Sequence, residues 1–161
     1  MKRILVFSDS HNYNRDMIDI TLKIRPDMII HLGDCVSDAR ELQRAYPEIP
    51  VEYVPGNCDF SQEIGVRILQ IEKCKVMICH GHQYHVKEGI SQLLRAGQEH
   101  EADVILFGHT HKLYYDYHNG MAIMNPGSIS RPYVYNTESY GLLKIDGSKA
   151  TIETFYSKDI L

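Results

Sequence analysis

The stretch "VILFGHTHKL" (104–113) runs four apolar residues into a glycine and then sets two histidines one residue apart. A short apolar run bounded by turn residues reads as a buried strand, so His109 and His111 stand at its carboxyl end. Runs of the same kind precede it: "RILVF" (3–7), "DMIIHL" (27–32), "VEYVP" (51–55) and segments at about 66–71 and 75–79. Helical periodicity alternates with them. Residues 15–24 place apolar side chains at 17, 18, 21 and 22, with Thr21 counted for its methyl, and Asp19 and Lys23 pair on the other face. Ser37 can cap a second helix running to about Tyr46, and positions 90, 93, 94 and 97 outline a third. The remainder is strand-like: 112–118, 121–125, 140–145 and 150–156, with turns at Asn119-Gly120 and Asp146-Gly147. Strand–helix alternation followed by a meander predicts an α/β chain of two sheets packed face to face with helices outside.

The residues that follow each run are not loop residues of random type. After "ILVF" come Asp9 and His11, after "MIIHL" Gly33 and Asp34, after "YVP" Gly56 and Asn57, after "VMIC" His80, and after "VILF" His109 and His111. Taken singly each has a bland reading: Gly-Asp and Gly-Asn fit turns, and Asp-x-His fits a loop. Five strands delivering metal-ligand residue types at the carboxyl edge, where α/β sheets bind ligands, are harder to explain as turns. A glycine stands directly before three of them, where backbones approach closely. Two carboxylates, one carboxamide and four imidazoles exceed the four ligands of a tetrahedral zinc. The set suits two divalent ions sharing a carboxylate, and the imidazole content favours Mn, Fe, Zn, Co or Ni over Mg or Ca.

Composition narrows the class. With 161 residues the chain fits a single domain (1–161), and a net charge of −4 gives no basic surface for specific nucleic-acid binding. No apolar run is long enough for a membrane span. Cys35, Cys58, Cys74 and Cys79 form no CxxC pair, which predicts reduced thiols and a cytoplasmic location. His31, inside an apolar run, reads as a core histidine, and the tyrosines at 114, 115, 117, 133, 135 and 140 read as strand and loop packing. An exposed hydrophobic edge would leave room for a homo-oligomer.

In order, Asp9-x-His11, Gly33-Asp34, Gly56-Asn57-Cys58-Asp59, His80-Gly81-His82 and Gly108-His109-Thr110-His111 resemble the calcineurin-like metallophosphoesterases. The short chain and the "NPGS" at 125–128 are similar to the small bacterial and archaeal phosphodiesterase branch. The resemblance implies a four-layer α/β/β/α sandwich, a small phosphodiester substrate and two divalent transition-metal ions, manganese foremost. It implies one ion on Asp9, His11, Asp34 and His111, and the other on Asp34, Asn57, His80 and His109. A hydroxide bridging the two would be the nucleophile, with Asp34, Asn57, Cys58 and His80 as the catalytic set. Arg131 is a candidate bidentate donor to a substrate phosphate.

Larger members of the family carry a histidine where this chain has Cys58, so the resemblance leaves no imidazole to protonate the leaving group. The competing expectation is a protein-binding scaffold, because the retromer scaffold subunit resembles the same fold. Completeness of the ligand set favours an enzyme.

Overall fold

The computed structural model describes residues 1–59 and 65–161. Its elements in chain order are β1 (Lys2–Phe7), α1 (Arg15–Ile24), β2 (Met28–His31), α2 (Val36–Ala45), β3 (Val51–Tyr53), β4 (Val66–Ile71) and β5 (Cys74–Cys79). They continue with α3 (Ser91–Glu99), β6 (Val104–Leu106), β7 (Leu113–His118), β8 (Met121–Pro126), β9 (Ser139–Asp146) and β10 (Lys149–Tyr156). One five-stranded sheet has the order β10-β9-β1-β2-β3 and the other β4-β5-β6-β8-β7. The centre of each is parallel (β1-β2-β3 and β5-β6-β8), and β9, β4 and β7 pair antiparallel.

Side-chain alternation explains why the central strands read as unbroken apolar runs. In β1, Ile4 and Val6 enter the core between the sheets, while Leu5 and Phe7 pack with Met17, Ile20 and Leu42 of the first two helices. In β5, Val76 and Ile78 face the same inter-sheet core, while Met77 and Cys79 pack with Leu93 and Ala96 of α3. Each sheet is therefore covered on both faces, giving four layers, α/β/β/α.

Local differences from the sequence reading have physical causes. The buried arc of α1 is Met17, Ile20 and Thr21, and Leu22 is 51% exposed. Thr21 can be buried because its hydroxyl donates to the Met17 carbonyl. Ser37 does not cap α2. That helix starts at Val36, and the Asp59 carboxylate, from a different loop, accepts from the Cys35 and Val36 N–H groups at 3.1 and 2.9 Å. Asn119 and Gly120 both take left-handed φ (49° and 82°) between paired His118 and Met121, as a two-residue hairpin requires. Asp146 pairs with Lys149, so the second turn holds Gly147 and Ser148, one place later than read. Tyr140 is buried as expected, but Tyr115, Tyr117, Tyr133 and Tyr135 are exposed. The four cysteines are free thiols, and burial pushes Cys79 up to about 12. Among the described residues no helix is long and apolar enough to cross a membrane.

Candidate metal centre

The carboxyl ends of β1, β2, β3, β5 and β6 meet at one edge, and backbone bonds tie their loops together. Asp9 N–H donates to the Gly33 carbonyl and His11 N–H to the Asp34 carbonyl, both at 3.0 Å; Gly108 N–H donates to the His80 carbonyl at 2.8 Å. The glycines before the candidate ligands serve close approach. A Cβ at Gly56 would lie 2.2 Å from Asp34 Oδ1, and one at Gly108 would lie 2.1 Å from Ser8 Oγ. Asp9, His11, Asp34, His109 and His111 themselves take φ between 48° and 73°. Non-glycine residues rarely occupy that region, and strain of this kind gathers at functional sites.

Two groups of ligand atoms result, each within 4.8 Å: Asp9, His11, Asp34 and His111, and Asp34, His80 and His109. Asp34 belongs to both. Its Oδ2 lies 3.3 Å from His80 Nε2 and 3.7 Å from His11 Nε2, while Oδ1 accepts the Cys58 N–H at 2.9 Å. His111 Nε2 is 3.2 Å from Asp9 Oδ1 and 3.4 Å from His11 Nε2, and His109 Nδ1 is 3.2 Å from His80 Nε2.

The outer hydrogen bonds set the tautomers. His80 Nδ1 faces the Leu32 carbonyl at 2.8 Å and His111 Nδ1 faces the Arg131 carbonyl. A carbonyl only accepts, so Nδ1 carries a proton in each, and Nε2 faces inward, where the neutral ring offers its lone pair. Asp9 Oδ2 accepts from Ser8 Oγ–H and His109 N–H, yet Asp9 Oδ1 is buried with no hydrogen bond. A buried acceptor without a donor, aimed among inward lone pairs, is what a cation would satisfy. These residues fit divalent metal ions.

Charge at the site is organised to match. Burial pushes the Asp34 carboxyl up, but His80 and the Cys58 N–H outweigh it and hold the group well below the carboxylate range. Asp9 is likewise held low against its burial, by His111, His80 and Ser8. Burial and the His80 and Lys87 charges bring His109 down to about 4, so it stands as a neutral donor of a lone pair.

A family model for the calcineurin-like phosphoesterase superfamily domain matches residues 1–148. The chain belongs to that family. This phosphoesterase is 33% identical over 159 residues to the probable metallophosphoesterase YsnB of Bacillus subtilis, covering 96% of this chain and 90% of YsnB. Among solved structures, a predicted phosphoesterase of Streptococcus pneumoniae TIGR4 is similar with a TM-score of 0.82 and 25% identity, covering 98% of this chain and 90% of that one. A Vps29 double mutant from Entamoeba histolytica reaches 0.80 at 24% identity, over 96% of this chain and 92% of that one, a likeness of fold alone.

Of the other expected residues, Cys58 and Arg131 share a cleft with His11. Asn57 and Cys58 are exposed in the turn after β3, and Arg131 is exposed at the rim, where its carbonyl meets His111. Sequence reading missed the residues that hold the ligands. Asp59 accepts from Gly56, Cys35 and Val36 N–H, so one carboxylate ties the Asn57 turn to the start of α2. Ser128 of the "NPGS" segment and Ser130 just after it both donate to the Asp9 carbonyl, and Asn125 donates to the Gly108 carbonyl. His82 is half-buried with its ring 5.5 Å from His80 and 6.0 Å from His109.

His31 is a core histidine, as read: fully buried, with Nδ1 accepting Gly33 N–H and Nε2 facing Ser10 Oγ at 2.9 Å. Burial lowers it to about 4. Between about pH 6.5 and 4 the unfolded chain therefore takes up a proton that the folded chain refuses, and stability falls as pH falls through that window. The His31 contribution is about 3 kcal/mol. Urea unfolding of metal-free protein at pH 7 and pH 4.5 should show the loss, and His31→Gln should lose less across the same interval.

Proposed function

We propose that the protein is a metal-dependent phosphodiesterase with two divalent transition-metal ions. One set of ligands is Asp9, His11, Asp34 and His111, the other Asp34, Asn57, His80 and His109. Mn²⁺ is the first choice, with Ni²⁺, Co²⁺, Fe²⁺ and Zn²⁺ compatible with mixed imidazole and carboxylate ligands. The observation that carries this reading is the membership of Asp34 in two tight ligand groups beside the unbonded Asp9 oxygen. Such an ion pair, when bound, supplies a water deprotonated at neutral pH as nucleophile and positive charge for the phosphoryl oxygens.

The chain's own groups do the rest. Asp9 and Asp34 neutralise only part of the charge of two divalent ions, which leaves the centre attractive to a phosphate anion. Nδ1–H of His80 and of His111 stays donated to its backbone carbonyl, so both rings keep their aim during turnover. Arg131 lines the two clefts that also include His11, and in this reading its guanidinium donates to the non-bridging oxygens. Burial and the Asp34, Asp59 and Asp9 carboxylates hold the Cys58 thiol above its ordinary range. It stays protonated at neutral pH but is a weak donor, so esters with good leaving groups are the better substrates.

Cys58→His should raise activity on alkyl diesters by about 10–10²-fold and leave aryl diesters little changed. No gain on alkyl esters would remove Cys58 from the leaving-group side. The scaffold reading has the Vps29 likeness behind it, but nothing in a protein-binding role calls for seven ligand-type residues at one sheet edge. Elemental analysis tests the assignment: the loaded protein should carry two ions per chain, and His11→Ala and His109→Ala should each lose one. Retention of both ions in either variant would overturn the ligand sets.

A further inference from the structure

Beside His109 and His111 opens a cleft of about 470 Å³, walled by Lys87, Lys112, Arg131 and Tyr133. Its lining includes no carboxylate, and among the described residues no carboxylate forms an ion pair with any of the three cations, in a chain of net charge −4. The cations come from separate segments; Lys112 packs on Tyr133, and backbone N–H groups anchor the loop that carries Arg131. Lys112 Nζ lies 4.0 Å from the centre of the Tyr133 ring, Tyr133 N–H donates to the His111 carbonyl, and Arg131 N–H donates to Ser128 Oγ at 2.7 Å. Lys87, Lys112 and Arg131 line one cleft with the candidate ligands His109 and His111.

One phosphodiester carries a single negative charge, which the metal centre and Arg131 already meet. Lys87 and Lys112 are left over, and unpaired cations concentrated in a cleft attract a further anion. We infer that this cleft is an anion subsite, and that the substrate is a phosphodiester whose non-leaving substituent carries a second phosphate group. The inference rests on the phosphodiesterase reading above and adds a substrate class to it.

The test compares two esters with the same leaving group on the metal-loaded protein: thymidine 5′-(p-nitrophenyl phosphate) and its 3′-phosphorylated form. The second should show a kcat/KM about ten-fold higher, mainly through KM, with the ratio shrinking toward one as salt rises. Lys87→Ala with Lys112→Ala should bring the ratio close to one, Lys87→Arg with Lys112→Arg should restore it, and Lys149→Ala, at a distant turn, should leave it alone. Calorimetry with thymidine 3′,5′-bisphosphate against thymidine 5′-monophosphate reads the subsite without turnover. Hydrolysis of both esters at equal efficiency, with no preference in binding, would overturn the subsite and leave the phosphodiesterase standing. A binding preference lost in the double alanine variant, with no hydrolysis of either ester, would uphold the subsite and sink the hydrolytic reading.

Discussion

Asp34→Asn should lower kcat/KM for bis(p-nitrophenyl) phosphate by on the order of 10³-fold while the far-ultraviolet circular dichroism stays that of the wild type. The carboxamide oxygen can still accept the Cys58 N–H that Asp34 Oδ1 accepts at 2.9 Å. The amide NH₂ then takes the place of Oδ2, which lies between His80 Nε2 and His11 Nε2 at 3.3 and 3.7 Å. Two N–H groups would thus point to where both groups of ligand atoms need an anionic oxygen. Because Asp34 is common to both groups, the variant should lose affinity for two ions rather than one. Activity within a few-fold of wild type would show that Asp34 is a loop-fastening carboxylate and no more.

A second loss, read in metal affinity, should follow from adding one methyl group to Gly56, which supplies no ligand atom itself. In Gly56→Ala the new Cβ would sit 2.2 Å from Asp34 Oδ1 and 2.5 Å from Asp34 N, against a carboxylate already fastened by Cys58 N–H. One neighbour is backbone, so relief requires the turn after β3 to move away from β2. That movement pulls Asp59 from the Cys35 and Val36 N–H groups and so slackens the start of α2. Metal affinity should fall about 10–100-fold and stability by about 1–3 kcal/mol. In a chain of this size each kcal/mol moves Tm by about 2–4 °C. Calorimetric metal titration together with a thermal melt of the metal-free variant checks both effects. An unchanged melt with unchanged affinity would mean the close approach of Gly56 does not position Asp34.

Much of this was legible in the sequence because both the sheets and the site obey local rules. Strands buried on both faces write themselves as apolar runs, such as "ILVF" and "VILF", and the ligand-type residues follow those runs directly. Asn119-Gly120 announced its hairpin through the φ values it tolerates. What stayed hidden depends on partners far along the chain. Nothing near Ser37 tells that Asp59 caps α2 in its stead, and nothing around "NPGS" tells that Ser128 and Ser130 both reach the Asp9 carbonyl. Leu22 misled for the opposite reason: its hydrophobicity is real, but the arc through Met17, Ile20 and Thr21 is the one that faces the sheet. The left-handed φ at Asp9, Asp34 and His109 could not be read from residue type either, since only the closing of several loops on one another enforces it.

The most direct measurement is a titration of metal-stripped protein with Mn²⁺, following bound metal and bis(p-nitrophenyl) phosphate hydrolysis in the same samples. Turnover should stay low through the first equivalent and rise with the second, reaching its plateau at about two ions per chain. Full activity at one ion per chain, or none with two ions bound, would contradict a two-metal phosphodiesterase.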